Sequence, residues 1–399
     1  MKRIFQYVKK SSRFITIIGL LLFAFCFAMF QGGFVSWFIF FTVLPFLLYS
    51  FLLSLVPLQI TNVRREMDQS HLVRGDTVNI TVRFENKSRF PIVFLVVKEL
   101  DTDERLYRIE DGHSGHLFLV GFKRKFEWTY SLEGLKRGEH QLSALEFTFT
   151  DFFGWTVRKK LVTEPHTVMV YPKTIDMKYA SLQMQYDQGV VASKYSIVKD
   201  TSMVTGVRDY QAGDRFSWIH WKSFAKSGNL KTKEFEDRQS QSLFVCIDRA
   251  TTEHFEDVVD LTGSIMKAIV KRNGDVAFLS GGENRVFYPI VRTDIQLEKV
   301  MHHLAIVKPD AVSSMESVLR SERQLNNSIL LVITGKLTDE LKHFLMDGSK
   351  YARAVVCFVV VTKEQYKRID ESNTRFGNSR VIYLTPEMFS QAFTEVNKP

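Results

Sequence analysis

Three cysteines in 399 residues, Cys26, Cys246 and Cys357, are too few and too scattered for a disulfide framework or a spaced metal-binding pattern. Isolated thiols in apolar surroundings suit a reducing compartment. Acid is missing from the leader Met1–Arg13, which carries Lys2, Arg3, Lys9, Lys10 and Arg13. Charge of either sign is missing from the two runs Phe14–Phe30 and Phe34–Val56 and from the turn between them. No glycine loop is built to cradle phosphate, since Gly281-Gly282 alone is a turn. No Ser-His-Asp or Cys-His arrangement emerges from the spacing. The net charge of +9 includes the leader's +5, which leaves +4 for the rest of the chain. No basic stripe interleaved with stacking aromatics accompanies that excess, so the reading has no nucleic-acid partner.

The two uncharged runs predict a transmembrane helical hairpin over 14–57, closed by the uncharged turn Gln31-Gly32-Gly33. A cleaved signal peptide is the rival reading of the first run, but the second run follows at once with no small-residue cleavage site. Basic residues precede the first run, and Arg64 and Arg65 follow the second. The positive-inside rule then places both termini and the soluble domains in the cytoplasm, in a multi-pass protein of the cell membrane. Anionic lipid is the expected target of the leader and of Arg64 and Arg65.

Residues 58–172 read as all-β. Period-two alternation marks Thr77–Phe84, and Ile92–Glu99, Arg124–Ser131 and Ala144–Thr150 follow, with Gly134 and Gly138 as turns. Trp155–Val162 and Thr167–Tyr171 read as two further strands. Short strands at this spacing predict a sandwich of immunoglobulin or fibronectin type. Residues 173–241 read as a crossing segment. From 242 to 399 apolar strands alternate with amphipathic helices, which predicts a parallel sheet covered on both faces.

The crossing segment ends in the densest stretch of the chain, Gly206–Glu236. Asp214 is placed to N-cap a helix over Arg215–Lys226, whose apolar surface would be Phe216, Ile219, Trp221 and Phe224. Ser227-Gly228-Asn229 stops it, and Leu230–Phe235 reads as a strand with Glu234 and Glu236 on one side. Asp209 and Asp214 can pair with Arg208 or Arg215. His220 beside Lys222 suggests acid/base chemistry as well as a structural clamp.

The residues Arg208, Tyr210, Gly213, Asp214, Ile219, His220, Trp221, Lys222, Ala225, Lys226, Gly228, Leu230, Glu234 and Glu236 form a pattern. It resembles the signature of the bacterial domain-of-unknown-function family fifty-eight. Arg137-Gly138 through Asp151-Phe152-Phe153-Gly154 is similar to the β-domain of that family. The resemblance implies two membrane helices, a β-domain, the signature and a von Willebrand A-like α/β domain. It also implies a partner of the MoxR-type AAA+ ATPase class, beside which members are often encoded, as they are beside transglutaminase-like proteins. Von Willebrand A domains bind a divalent ion through a D-x-S-x-S loop. Here that loop is Asp248-Arg249-Ala250-Thr251-Thr252, in which Asp248 and Thr252 fit and Ala250 offers no ligand. A later strand that should end in Asp is followed instead by Thr334-Gly335. The expectation is a degraded site without a cofactor, with Mg²⁺ as the alternative.

Two functions follow. One is a membrane-anchored cytoplasmic scaffold whose signature and α/β domain bind a protein, with Arg208, Asp209, Tyr210, Gly213, Asp214, Arg215, Ile219, His220, Trp221, Lys222, Gly228, Glu234 and Glu236 at the binding site. The other is an enzyme whose active site lies at the domain junction around His220 and Asp214.

Overall fold

The computed structural model describes residues 2–101, 115–177, 204–210, 219–235, 243–322, 325, 328–369, 375–376 and 379–396. It divides into two compact units, Met1–Tyr171 and Pro172–Pro399.

The first unit begins with two helices, α1 (Lys2–Gln31) and α2 (Gly33–Leu55). Gly32 and Gly33, with φ of 62° and 82°, make a turn that a Cβ would strain. The helices run antiparallel, and Phe25 meets Phe40 with ring centroids 5.9 Å apart. Among the described residues α2 is the one helix long and apolar enough to cross a membrane. The apolar stretch of α1, Ile18–Gln31, is shorter, and the helix runs without a break into the basic leader.

Eight strands follow: β1 (Ile60–Met67), β2 (Leu72–Val73), β3 (Val78–Asn86), β4 (Ile92–Asp101), β5 (Gly115–Gly121), β6 (Lys125–Leu132), β7 (Gly138–Thr150) and β8 (Val157–Tyr171). They form a three-stranded sheet in the order β1-β3-β6 and a five-stranded sheet in the order β2-β8-β7-β4-β5. Alternate residues of β3 are buried, as its period-two pattern requires. The two sheets share one core, in which Phe84 of β3 meets Phe147 of β7 at 5.0 Å and Phe126 of β6 at 5.2 Å. Leu53 of α2 belongs to the same core.

Two sequence expectations are corrected here. The strands predicted over Trp155–Val162 and Thr167–Tyr171 are one strand, β8, that passes through Pro165. Its pairing with β7 shifts between Leu142↔His166 and Ala144↔Thr163, and Glu164 and Pro165 fall within that bulge. A residue with no N–H is tolerated there because the ladder asks nothing of it. Nor is Arg65 available to lipid. Its side chain is 1% exposed and pairs with Glu99 at 2.6 Å, while Tyr130 donates to the other Glu99 oxygen at 3.0 Å. Arg65 Nη1 donates to the Glu164 carbonyl that the bulge turns inward.

The loop between β7 and β8 fastens the strands to α2. Asp151 is buried and accepts from the Ser50 hydroxyl, and from the Thr156 amide at 3.1 Å. Thr156 Oγ1 returns a bond to the Ser50 carbonyl at 3.0 Å. Phe152 and Phe153 pack edge-on against Phe46, with centroids 5.7 and 5.4 Å away. The Tyr49 hydroxyl donates to the Pro91 carbonyl at 3.1 Å and accepts from the Val93 amide at 3.1 Å. Arg158 donates to the carbonyls of Leu53 and Val56, which the end of α2 leaves without helical partners.

In the second unit, β9 (Val204–Asp209), α3 (Trp221–Ser227) and β10 (Lys231–Phe235) precede the large sheet. Next come β11 (Leu243–Asp248), α4 (Phe255–Val270), β12 (Val276–Gly281), β13 (Val286–Val291), α5 (Asp294–Ile306) and α6 (Met315–Ser321). The chain continues through β14 (Ile329–Thr334), α7 (Asp339–Met346), β15 (Ala354–Val360), α8 (Lys363–Tyr366), β16 (Arg375–Phe376), β17 (Ser379–Leu384) and α9 (Ala392–Val396). The sheet order is β13-β12-β11-β14-β15-β17-β16, parallel at its centre, with antiparallel strands at both edges. Every residue of β11, β14 and β15 is buried, because separate apolar cores cover the two faces. Residues 172–177, which follow β8, lie along α4. There Lys173 N donates to Asp260 at 2.8 Å and Ile175 N to Ser264 at 2.9 Å.

Glu99→Ala would leave the Arg65 cation buried and unpaired, and should cost about 3–5 kcal/mol. Replacing both residues by leucine should recover most of that loss. Chemical denaturation of the full chain in detergent, followed by circular dichroism, checks both outcomes.

Candidate functional site

Two places in the second unit hold the residues singled out by sequence. The first is the hairpin of β9 and β10, which pair antiparallel with Arg208 opposite Thr232. Its helix is shorter than predicted. Ile219 is 1% exposed and bridges to Thr232, and the His220 amide donates to the Lys231 carbonyl at 2.8 Å. These two residues are therefore tied to β10 in extended fashion, and α3 can begin only at Trp221. His220, rather than Asp214, is the N-cap of the described helix. Its Nδ1 accepts from the Ser223 amide at 3.2 Å and lies 2.6 Å from the Ser223 hydroxyl. That bond requires an unprotonated Nδ1, which puts the proton of the neutral ring on Nε2. Gly228, at φ 69°, closes the helix in the left-handed conformation, as its position predicted.

Arg208 Nη1 donates to the main-chain carbonyl of Asp209 at 3.1 Å. Tyr210 N donates to the Leu230 carbonyl at 3.0 Å, which extends the hairpin by one pair. Gly213, Asp214, Arg215 and Glu236 lie outside the described residues, as does Phe216; Glu234 is described only as part of β10. Apolar side chains on this hairpin face outward. Trp221 is 60% exposed and Phe224 38%, and their rings meet edge-on at 6.1 Å. Leu230 is exposed as well, and so are Lys222 and Lys226. Of the expected apolar surface, Ile219 is buried, whereas Trp221 and Phe224 are exposed.

The second place is the C-terminal end of the parallel strands, where sheets of this kind bind ligands. The register Ile247↔Ile333 sets Asp248 beside Thr334. Asp248 accepts from the Ala250 amide at 3.0 Å and from the Thr334 hydroxyl at 2.7 Å. Burial raises its carboxyl above the usual carboxylate range, and those two bonds only partly oppose the effect. A Cβ on Gly335 would collide with the Thr252 hydroxyl, so Thr252 does lie over the end of β14.

The donor set does not fit a divalent ion. Mg²⁺ asks for about six oxygens, whereas Ala250 supplies none and Thr334 already donates its proton to Asp248. Among the described residues no three His, Cys, Asp or Glu side chains form a cluster that could hold a metal.

Arg249 was passed over in the sequence. Its guanidinium reaches Asp310 at 2.6 Å, the Asn284 carbonyl at 3.2 Å and, through Nε, the Lys308 carbonyl at 3.1 Å. One side chain thus joins three loops at this end of the sheet. Only the adjacent Asp248 hinted at it, since Asp310 lies 61 residues away. Cys246 and Cys357 are buried in the strands, and burial pushes both thiols up, so neither is a nucleophile at neutral pH.

Comparison with known proteins gives three findings. Residues 206–371 match the model of a family described as protein of unknown function DUF58. An uncharacterised protein, YeaD of Bacillus subtilis (strain 168), is 33% identical over 354 residues, 87% of this chain and 88% of that protein. Among solved structures, the SpRpn10 VWA domain is 10% identical with a TM-score of 0.27, over 38% of this chain and 92% of its own. A conjugate transposon protein from Bacteroides vulgatus is 17% identical with a TM-score of 0.16, over 29% of this chain and 83% of its own. At those scores neither structure fixes the fold.

Because burial raises the Asp248 pKa in the folded state, that state binds more protons than the unfolded chain between the unfolded and folded values. Stability contributed here is greatest below the unfolded carboxylate range and falls as pH rises through the raised folded pKa. Asp248→Asn should therefore stabilise the protein at neutral pH. The Thr334 hydroxyl, also 2.9 Å from the Lys336 carbonyl, can turn to that acceptor and receive the new amide. The gain should disappear in acid, below the ordinary Asp range. Thermal melts of both proteins across pH check the crossover.

Proposed function

The chain belongs to the DUF58 family, and from that premise we propose that it is a membrane-anchored interaction protein. In this reading α1 and α2 form a two-pass hairpin, and both termini and both folded units face the cytoplasm. The first unit is a sandwich of immunoglobulin or fibronectin type, and the second is a von Willebrand A-like domain. The support is the apolar length of α2, the two β-sheets around one core, and the parallel sheet wound on both faces.

One observation carries the binding role. The family signature leaves Trp221, Phe224 and Leu230 exposed, with Lys222 and Lys226 exposed on the same short helix. Exposed apolar patches mark interaction surfaces, and tryptophan is enriched among the residues that dominate interface energetics. The partner that fits is a protein with an apolar pocket rimmed by acid; a MoxR-type AAA+ ATPase is the named candidate. Asp209, Arg208 and Tyr210, on the neighbouring strand, would frame the contact.

Catalysis has less to work with. His220 Nδ1 is committed to capping α3, and a general base needs a free nitrogen within reach of a substrate. No metal is assigned to Asp248 and Thr252.

The test is crosslinking and recovery from native membranes, comparing the intact chain with Trp221→Ala/Phe224→Ala. Both substituted side chains are exposed, so folding and membrane insertion should persist while a specific partner is lost, with recovery reduced at least about tenfold for hot-spot residues. An unchanged set of recovered proteins would reject the signature as a binding surface.

A further inference from the structure

The end of the first unit nearest α2 carries a surface that neither the signature nor the α/β sheet explains. Three turns meet there: residues 87–91 between β3 and β4, 122–124 between β5 and β6, and 151–156 between β7 and β8. The registers put them at one end of the sheets, since Ile92 pairs with Gly121, Phe94 with Thr150, and Thr150 with Val157. The Asn86 amide donates to the Arg124 carbonyl at 2.7 Å and ties the first turn to the second.

These turns expose what a soluble surface normally hides. Phe122 is 83% exposed, Phe152 52% and Phe153 57%, and Trp155 stacks on Phe153 with centroids 4.6 Å apart. Lys87, Arg89, Lys123 and Arg124 stand exposed beside them. The one acid in the three turns, Asp151, is buried against Ser50 and adds no negative charge to the surface. Apolar rings surrounded by cations are the composition of a surface that enters an anionic lipid interface.

Depth points the same way. Phe46, on which Phe152 and Phe153 pack, belongs to the apolar span of α2. With Phe25 opposite Phe40, the backbone of Arg13 falls level with Leu52. Phe46 is then six residues, about 9 Å at the helical rise, to the apolar side of the leader's last charge. A side chain held against Phe46 cannot lie in bulk water while α2 spans a bilayer.

We propose that this end of the β unit is itself a membrane-binding surface, with Phe122, Phe152 and Phe153 in the acyl–headgroup boundary of an anionic bilayer and Lys87, Arg89, Lys123 and Arg124 on its phosphates. The proposal rests on α2 being a membrane span, and the experiment separates the two.

The full chain, with Cys26→Ser, is reconstituted into phosphatidylcholine–phosphatidylglycerol vesicles with an environment-sensitive fluorophore on a single introduced cysteine. The sites are Phe122→Cys and Phe153→Cys, with Phe38→Cys in α2 as the membrane reference and Val312→Cys in the second unit as the solvent reference. A nitroxide lipid labelled near the headgroup should quench residues 122 and 153 several-fold more than residue 312. Replacing phosphatidylglycerol by phosphatidylcholine, or Lys87, Arg89, Lys123 and Arg124 by glutamine, should weaken quenching at residue 122. Quenching at residue 38 with residues 122 and 153 matching residue 312 overturns the surface and leaves the anchor standing. No quenching at residue 38 removes the anchor, and the surface with it. Quenching at residue 122 that ignores lipid charge overturns the assignment of the four cations.

Discussion

A buried carboxyl group holds the β-sheets of the first unit to their helix. Asp151 is buried where the β7–β8 turn meets α2, and a hydroxyl and a main-chain amide donate to it. Around it, Thr156, Tyr49 and Arg158 add bonds between side chains and main chain in both directions. Each alone is worth about 1 kcal/mol. Together they define a seat with fixed rotation and fixed height on the helix. Leu53, counted in the same core as Phe147 and Phe149, makes α2 part of the β fold and not a tether leading to it.

The second unit solves a different problem. Its central strands are apolar on both sides and can be polar only where they end. At those ends two charged side chains are consumed internally: Asp248 by Ala250 and Thr334, Arg249 by two neighbouring loops. The polar surface that elsewhere in this architecture greets a ligand is here turned on itself. The outward-facing chemistry lies instead on the β9–β10 hairpin, in Trp221 and its neighbours.

Much of this was legible in the sequence, for physical reasons that differ from place to place. The alternation of Val78, Ile80, Val82 and Phe84 could serve only a half-buried strand, and the apolar runs at Leu243, Ile329 and Ala354 only buried ones. Gly228 marked a helix end because its conformation excludes most other residues. What stayed hidden depended on distant partners. Two strands were expected where β8 is one, because a bulge opposite Ser143 carries the chain through Pro165. Arg65 resembled a membrane-surface charge until Glu99 was brought to it from β4. His220 was read as a clamp or an acid/base group, and its ring caps a helix whose start was set by Ile219 bridging to Thr232. Propensity favours Asp over His at such a position, so no local rule would have chosen it.

The span of sequence between Ser50 and Asp151 has a consequence in time. Their hydrogen bond closes over 101 residues. At ordinary rates of translation, about 5–20 residues per second, α2 emerges from the ribosome roughly 5–20 s before the turn that seats on it. Through the whole of that interval Ser50 and the carbonyls of Leu53 and Val56 wait for Asp151, Thr156 and Arg158, while Pro91 and Val93, 42 and 44 residues after Tyr49, arrive earlier. The seat on α2 is therefore completed last, when the turn that carries Asp151 and Thr156 arrives.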